Sequence, residues 1–135
     1  MCLETIDKTG RLSDGVGYKV FLIKGKKKLF SQLFPKGRLI RNRWLKDYSG
    51  EKIYAGFFST ADTYSSGWHI FTQIEDARRW YDNSTSSTSV VYGQPQVIHR
   101  VRYRKAHTLG KQPIGIVRHA SVIVAKEMKI LREIV

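Results

Sequence analysis

Three arginines at alternating positions suggest the clearest chemistry in this sequence, the binding of phosphate groups. The segment 96–105 alternates throughout: Val97, His99, Val101 and Tyr103 face one way, and Ile98, Arg100, Arg102 and Arg104 face the other. Because a β-strand rises about 3.3 Å per residue, successive arginines lie about 7 Å apart on one face. Guanidinium groups can bind phosphates through paired hydrogen bonds. We therefore predict that this face, together with Lys105, binds phosphates, because no acid neutralises its positive charge. The alternative is an ordinary solvated face of the sheet.

A second basic segment lies earlier in the chain, among aromatic residues. Its candidate phosphate-binding residues are Lys26, Lys27, Lys28, Arg38, Arg41 and Arg43, and the interleaved aromatics are Phe30, Phe34, Trp44 and Tyr48. Such a mixture suits single-stranded nucleic acid, because bases stack on rings while phosphates meet the charges. The alternative is that the aromatic residues belong to the core. The sequence carries no RNA-recognition or zinc-finger motif, so base-specific recognition is unsupported.

Cys2 and His69 are the one pair suited to nucleophilic catalysis. Removal of Met1 would place the α-amine of Cys2, with an ordinary pKa of about 7.7–8.0, beside its thiol. A cysteine with a histidine is the minimum for a thiolate nucleophile. The alternative for His69 is a half-buried strand residue that holds a backbone carbonyl. We commit no residue to catalysis and keep a small enzyme acting on a nucleotide-type substrate as an alternative.

The remaining histidines give no indication of a metal site. His99, His107 and His119 lack close cysteine or acidic companions and the spacing of metal ligands. Gly15-x-Gly17 precedes a strand and opens no helix, so it is not a dinucleotide-binding motif. We expect neither a metal nor a cofactor.

The candidate residues must be positioned by a mixture of strands and one helix. Strands are predicted at 18–23, 68–71, 96–105, 121–125 and 129–135, and a loop at 110–115. Thr72 and Glu75 form a capping-box pattern, which predicts one main helix from about 73 to 82. Residues 37–67 show no clear period. We predict a single domain, 1–135, of the α+β class, in which this helix packs on an antiparallel twisted sheet.

The balance of charge indicates the kind of partner. The chain has 24 Lys and Arg against 11 Asp and Glu, a formal net charge of +13, and no acid between Asp82 and Glu127. A folded domain this basic attracts polyanions before any specific contact forms. No apolar run approaches the ~20 residues of a membrane span, and a single cysteine excludes an internal disulfide framework. We expect a cytoplasmic protein that does not bind membranes; the oligomeric state stays open.

Three fragments, taken in order, resemble a known group of proteins. They are Met1-Cys2-Leu3, the Gly67–Phe71 motif before a helix containing Asp76-Ala77, and Ile123–Met128. The chain resembles small uncharacterised proteins of bacteriophages and gut-type bacterial genomes, which begin Met-Cys-Leu and carry a mid-chain Gly-aromatic-His-x-Phe motif. The resemblance implies a phage or mobile-element origin. Small proteins of that origin often inhibit host defences such as CRISPR systems.

These observations together favour a protein that works by binding. We predict that its partner is nucleic acid or a nucleoprotein complex, and that it acts as a phage-borne regulator or inhibitor of a host defence machine. An enzyme using Cys2 and His69, and a basic protein that docks on an acidic protein surface, are the alternatives.

Overall fold

The fold is dominated by β-strands. A computed structural model describes residues 3–25, 28–31, 38–56, 62–86, 95–114 and 118–134. In chain order, its elements are β1 (Thr5–Thr9), β2 (Gly15–Lys24), β3 (Lys28–Ser31), β4 (Trp44–Lys46), β5 (Lys52–Tyr54), β6 (Thr63–Ser65), β7 (Trp68–Phe71), α1 (Ile74–Ser86), β8 (Gln96–Ile114) and β9 (Arg118–Glu133). Within the described ranges, no helix combines the length and the apolar character needed to cross a membrane.

A long antiparallel pair, β8 with β9, forms the backbone of the sheet. The pairing runs from Ile114 opposite Arg118 to His99 opposite Glu133, with irregularities between His99 and Val101 and again between Ala106 and Thr108. Lys105, beside the second irregularity, has a φ of 55°. Extra residues of this kind bend and twist a strand, and here they let the pair curve while it carries other strands on both edges.

The strand pairings close on themselves. The outer edge of β8 pairs with β2 and then with β1, while the outer edge of β9 pairs with β7 and β4. One residue pair, Tyr18 with Phe71, joins β2 to β7. Since β8 and β9 also pair, β8, β2, β7 and β9 form a closed circuit. The strand β3 pairs antiparallel with the end of β2, and β5 pairs with β6 in a separate two-stranded sheet.

Apolar clusters lie on both faces of this sheet. On one face Phe21, Val101, Met128 and Ile130 are buried together. The predicted alternation of β8 is confirmed there, because Val97, His99, Val101 and Tyr103 are all buried. On the opposite face Ile98 packs with residues of β2, β7, β9 and α1. The side chains of β8 therefore alternate between the first cluster and a face that holds the arginines.

The α+β prediction is wrong, because the protein is mostly β. The described residues form nine strands and a single helix, which spans Ile74–Ser86 rather than 73–82 and contacts β2, β7 and β8. The Thr72 hydroxyl donates to the Ser121 carbonyl at 3.3 Å, which ties the start of the helix to β9. The main cause of the error is the length of β8, which continues through the segment 110–114 that Gly110 and Pro113 marked as a loop.

Candidate nucleic-acid interface

The strands β4, β9 and β8 lie side by side and bring together basic residues that are far apart in the sequence. Trp44 lies opposite Lys129, which lies opposite Arg102 on the other edge of β9; two residues along, Lys46, Glu127 and Arg104 form a second row. The row between them, Leu45, Met128 and Tyr103, belongs to the apolar cluster of the other face. The two rows therefore share the outward face of the sheet.

We call this surface the basic patch and define it by eight residues: Trp44, Lys46, Tyr48, Arg102, Arg104, Lys105, Lys126 and Lys129. Lys46, Arg102 and Lys105 are exposed, and the other cations are partly exposed. Residues of one row stand about 5 Å apart, because that is the distance between neighbouring strands. Six cationic side chains therefore meet within an area that a few nucleotides would cover.

Aromatic rings order several of these cations. The guanidinium carbon of Arg104 lies 3.9 Å from the centre of the Trp44 ring, and the Lys129 ammonium lies 5.2 Å from it. The ammonium groups of Lys105 and Lys126 lie 5.4 and 5.8 Å from the centre of the Tyr48 ring. A cation over an aromatic face is attracted by the ring quadrupole. Each ring therefore has two cations close to it.

A buried carboxylate lies beneath the patch. Glu127 is 2% exposed, forms an ion pair with Arg104 Nε, and lies 3.3 Å from the Lys105 ammonium. Asp14 borders the patch by accepting a hydrogen bond from the Lys105 backbone N–H. The prediction of an arginine face without a neutralising acid is therefore wrong at Arg104. Six cations against Glu127 still leave the patch positive.

The structure brings only some of the sequence-predicted residues together. Arg102, Arg104 and Lys105 lie in the patch, Arg100 is half-buried opposite Tyr18, and Arg43 is exposed immediately before β4. Lys28 is exposed at the start of β3, and Arg38 and Arg41 are exposed between β3 and β4, whereas Lys26 and Lys27 lie outside the described residues. Lys126 and Lys129 were not among the predicted site residues. Their spacing on a strand, two lysines around Glu127 and Met128, was the available signal.

Two hydrogen bonds, to the Gly67 carbonyl and to the Tyr64 hydroxyl, hold the ring of His69. Its Nδ1 lies 3.2 Å from the Gly67 carbonyl, which only accepts hydrogen bonds, so Nδ1 carries the proton. Nε2 then accepts from the Tyr64 hydroxyl at 2.9 Å, and that oxygen accepts from the Leu3 backbone N–H at 3.0 Å. Burial, assisted by Lys19, lowers the pKa of His69 to about 3. This neutral imidazole fits the structural alternative, and its proposed partner Cys2 lies outside the described residues.

The other histidines also have structural surroundings. His99 Nδ1 lies 2.9 Å from the Leu131 carbonyl, and its ring contacts Phe21 edge-on. Burial lowers the pKa of His99 and of His107. His119 pairs with Glu4. Across the described part of the chain, no three His, Cys, Asp or Glu side chains are grouped so that they could hold a metal ion.

Comparison with known proteins adds no relative to this description. Neither protein-family models, nor curated proteins, nor solved structures give a match to the chain. The basic patch is therefore the feature of this protein that bears most directly on its function.

Proposed function

We propose that this protein binds nucleic acid through the phosphates, using the basic patch. The observation that carries the proposal is the convergence of six cations from β4, β8 and β9, four of which lie close to the rings of Trp44 and Tyr48. Phosphate contacts of this kind supply most of the affinity in binding that does not depend on sequence. Positive charge beside aromatic rings is typical of binding that does not depend on sequence.

The resemblance to phage-type proteins extends the proposal to a biological role. A phage-borne protein that covers the nucleic acid of a host nucleoprotein would regulate or inhibit that nucleoprotein in the host cytoplasm. A basic surface suits both free and protein-bound nucleic acid, since each presents phosphates. The alternative, an acidic protein surface, would also be attracted to the patch and has to be separated by experiment.

The salt dependence of binding tests the proposal. Six cations, with one charge balanced by Glu127, leave about five phosphates to be neutralised. The slope of log K against log salt should then be about −3.5 for a single strand and about −4.5 for a duplex. We would measure it by fluorescence anisotropy with a labelled oligonucleotide of each kind.

Matched variants connect the slope to the patch. Arg102→Ala and Lys129→Ala should each weaken binding and reduce the slope by about one. Lys111→Ala is the control, because Lys111 is exposed on the same strand as Arg102 but about nine residues, or about 30 Å, further along. If no nucleic acid binds at low salt, the proposal is overturned and an acidic protein becomes the expected partner. If Lys111→Ala weakens binding as much as Arg102→Ala, the basic patch is not the binding surface.

A further inference from the structure

Tyr48 is an exposed ring in a fixed position at the edge of the patch. Its side chain is 48% exposed, and its hydroxyl accepts a hydrogen bond from the Lys105 ammonium at 3.0 Å. The residue before it, Asp47, donates its backbone N–H to the Lys126 carbonyl at 2.7 Å, which continues the pairing of β4 with β9. The residue after it, Ser49, is bonded to the Asp47 carboxylate through both its backbone N–H and its hydroxyl. The backbone on both sides of Tyr48 is therefore anchored.

The two aromatic rings of the patch differ in what they offer to a ligand. Trp44 is half-buried, and Arg104 lies over its face at 3.9 Å. At Tyr48 the two ammonium groups stand further away, at 5.4 and 5.8 Å from the ring centre, and half of the side chain is open to solvent. Tyr48 therefore presents an accessible aromatic surface with positive charges beside it.

We propose that Tyr48 is the stacking platform for one base of a single-stranded nucleic acid, while Lys105 and Lys126 bind the phosphates on either side of that base. This inference rests on the proposed function and adds to it the class of ligand. Bases of a duplex are already stacked on one another, so an isolated exposed ring gains a base only from a single strand. A single tyrosine face accepts any base, so we expect stacking at Tyr48 to tolerate any sequence.

An abasic oligonucleotide separates stacking from simple charge attraction. We would compare two labelled single strands of about ten nucleotides, identical in length and charge, one with bases and one without. The wild-type protein should bind the strand with bases at least about fivefold more tightly, since stacking of one base on one ring supplies at least that factor. Tyr48→Ala should remove the preference and leave the affinity for the abasic strand nearly unchanged.

Two further variants complete the design. Tyr48→Phe keeps the ring and loses only the hydroxyl, so it should keep the preference. Tyr54→Ala is the matched control: Tyr54 is 62% exposed on β5, and no cation lies over its ring in the described part of the chain. It should behave as the wild type. Thermal unfolding of each variant would verify that the fold is intact.

The outcomes distinguish this inference from the proposal beneath it. Equal binding of the two strands by the wild-type protein, or an equal loss for both in Tyr48→Ala, would overturn the stacking role while nucleic-acid binding survives. Loss of the preference in Tyr54→Ala would indicate that the base stacks on Tyr54 and not on Tyr48. Failure of both strands to bind at low salt while a duplex binds would also overturn the stacking role, and failure of the duplex as well would overturn the proposed function itself.

Discussion

Replacing Arg104 with alanine should destabilise the fold, whereas the same replacement at Arg102 should not, although both lie on one face of β8. Arg102 is exposed, and no ion pair to it is found in the described ranges. Arg104 lies over the Trp44 ring and pairs with Glu127, which is 2% exposed. Arg104→Ala would leave a buried carboxylate with Lys105 as its remaining ion-pair partner, at 3.3 Å.

The size of the loss follows from how deeply each partner is buried. Breaking a fully buried ion pair costs about 3–5 kcal/mol, and an exposed pair contributes about 0.2–1 kcal/mol. This pair lies between those limits, because Arg104 is 38% exposed and Lys105, which is 59% exposed, can still reach the carboxylate. Adding about 0.5 kcal/mol for the contact with Trp44 gives a loss of about 2 kcal/mol. For a chain of this length that corresponds to a fall in Tm of about 5–10 °C.

Thermal unfolding of the wild type and both arginine variants measures the effect directly. Arg102→Ala should change stability by no more than about 0.5 kcal/mol, as exposed positions usually do. Adding Glu127→Gln to Arg104→Ala should recover part of the loss, because a neutral amide is cheaper to bury than an unpaired carboxylate. If Arg104→Ala unfolds at the wild-type temperature, the Glu127 pair does not stabilise the patch and our reasoning is wrong.

Two further predictions concern the sheet that carries the patch. Gly17→Ala should destabilise the protein by about 1–3 kcal/mol or more, since a Cβ there would lie 2.6 Å from the Phe71 carbonyl oxygen, beside the residue pair that closes the circuit of strands; urea unfolding would measure this, and a wild-type midpoint would contradict it. Stability should also fall as the pH drops from about 6.5 towards 3, by up to about 1.4 kcal/mol per unit from His69. The folded pKa of His69 is lowered to about 3, so the unfolded chain takes up the proton first. Urea unfolding at several pH values should give a flatter profile for His69→Gln, and an unchanged profile would contradict the assignment.

The strongest local patterns predicted their elements well. The alternation of 96–105 gave the correct orientation of β8, because burial of every second residue on one face is a property of the strand itself. The extension of β8 beyond Lys105 was not predictable in the same way. Gly110 and Pro113 favour a turn locally, but pairing with β9 supplies the hydrogen bonds that keep the segment extended. Because of this tertiary pairing, the fold is mostly β and not of the predicted α+β class.

Only part of the site could be predicted from the sequence, for a related reason. The chain positions of Arg102, Arg104 and Lys105 indicated a basic surface, but nothing local could show that β9 lies between β8 and β4. That arrangement brings Lys126 and Lys129 into the patch and places Glu127 under Arg104. Register between distant strands is decided by packing over the whole sheet, which a single sequence does not display.

The position of Glu127 explains how the fold tolerates so concentrated a positive charge. Glu127 is the first acidic residue after Asp82, and the chain reaches it in the middle of the basic patch. Like charges on neighbouring strands repel and destabilise a sheet. A buried carboxylate that contacts Arg104 and Lys105 together relieves part of that repulsion from below, without adding negative charge to the surface that a ligand would meet. An acid at an exposed position on this face would relieve less of the repulsion, because solvent screens exposed pairs, and it would also repel phosphates. Burial of Glu127 is therefore the arrangement that serves stability and phosphate binding together.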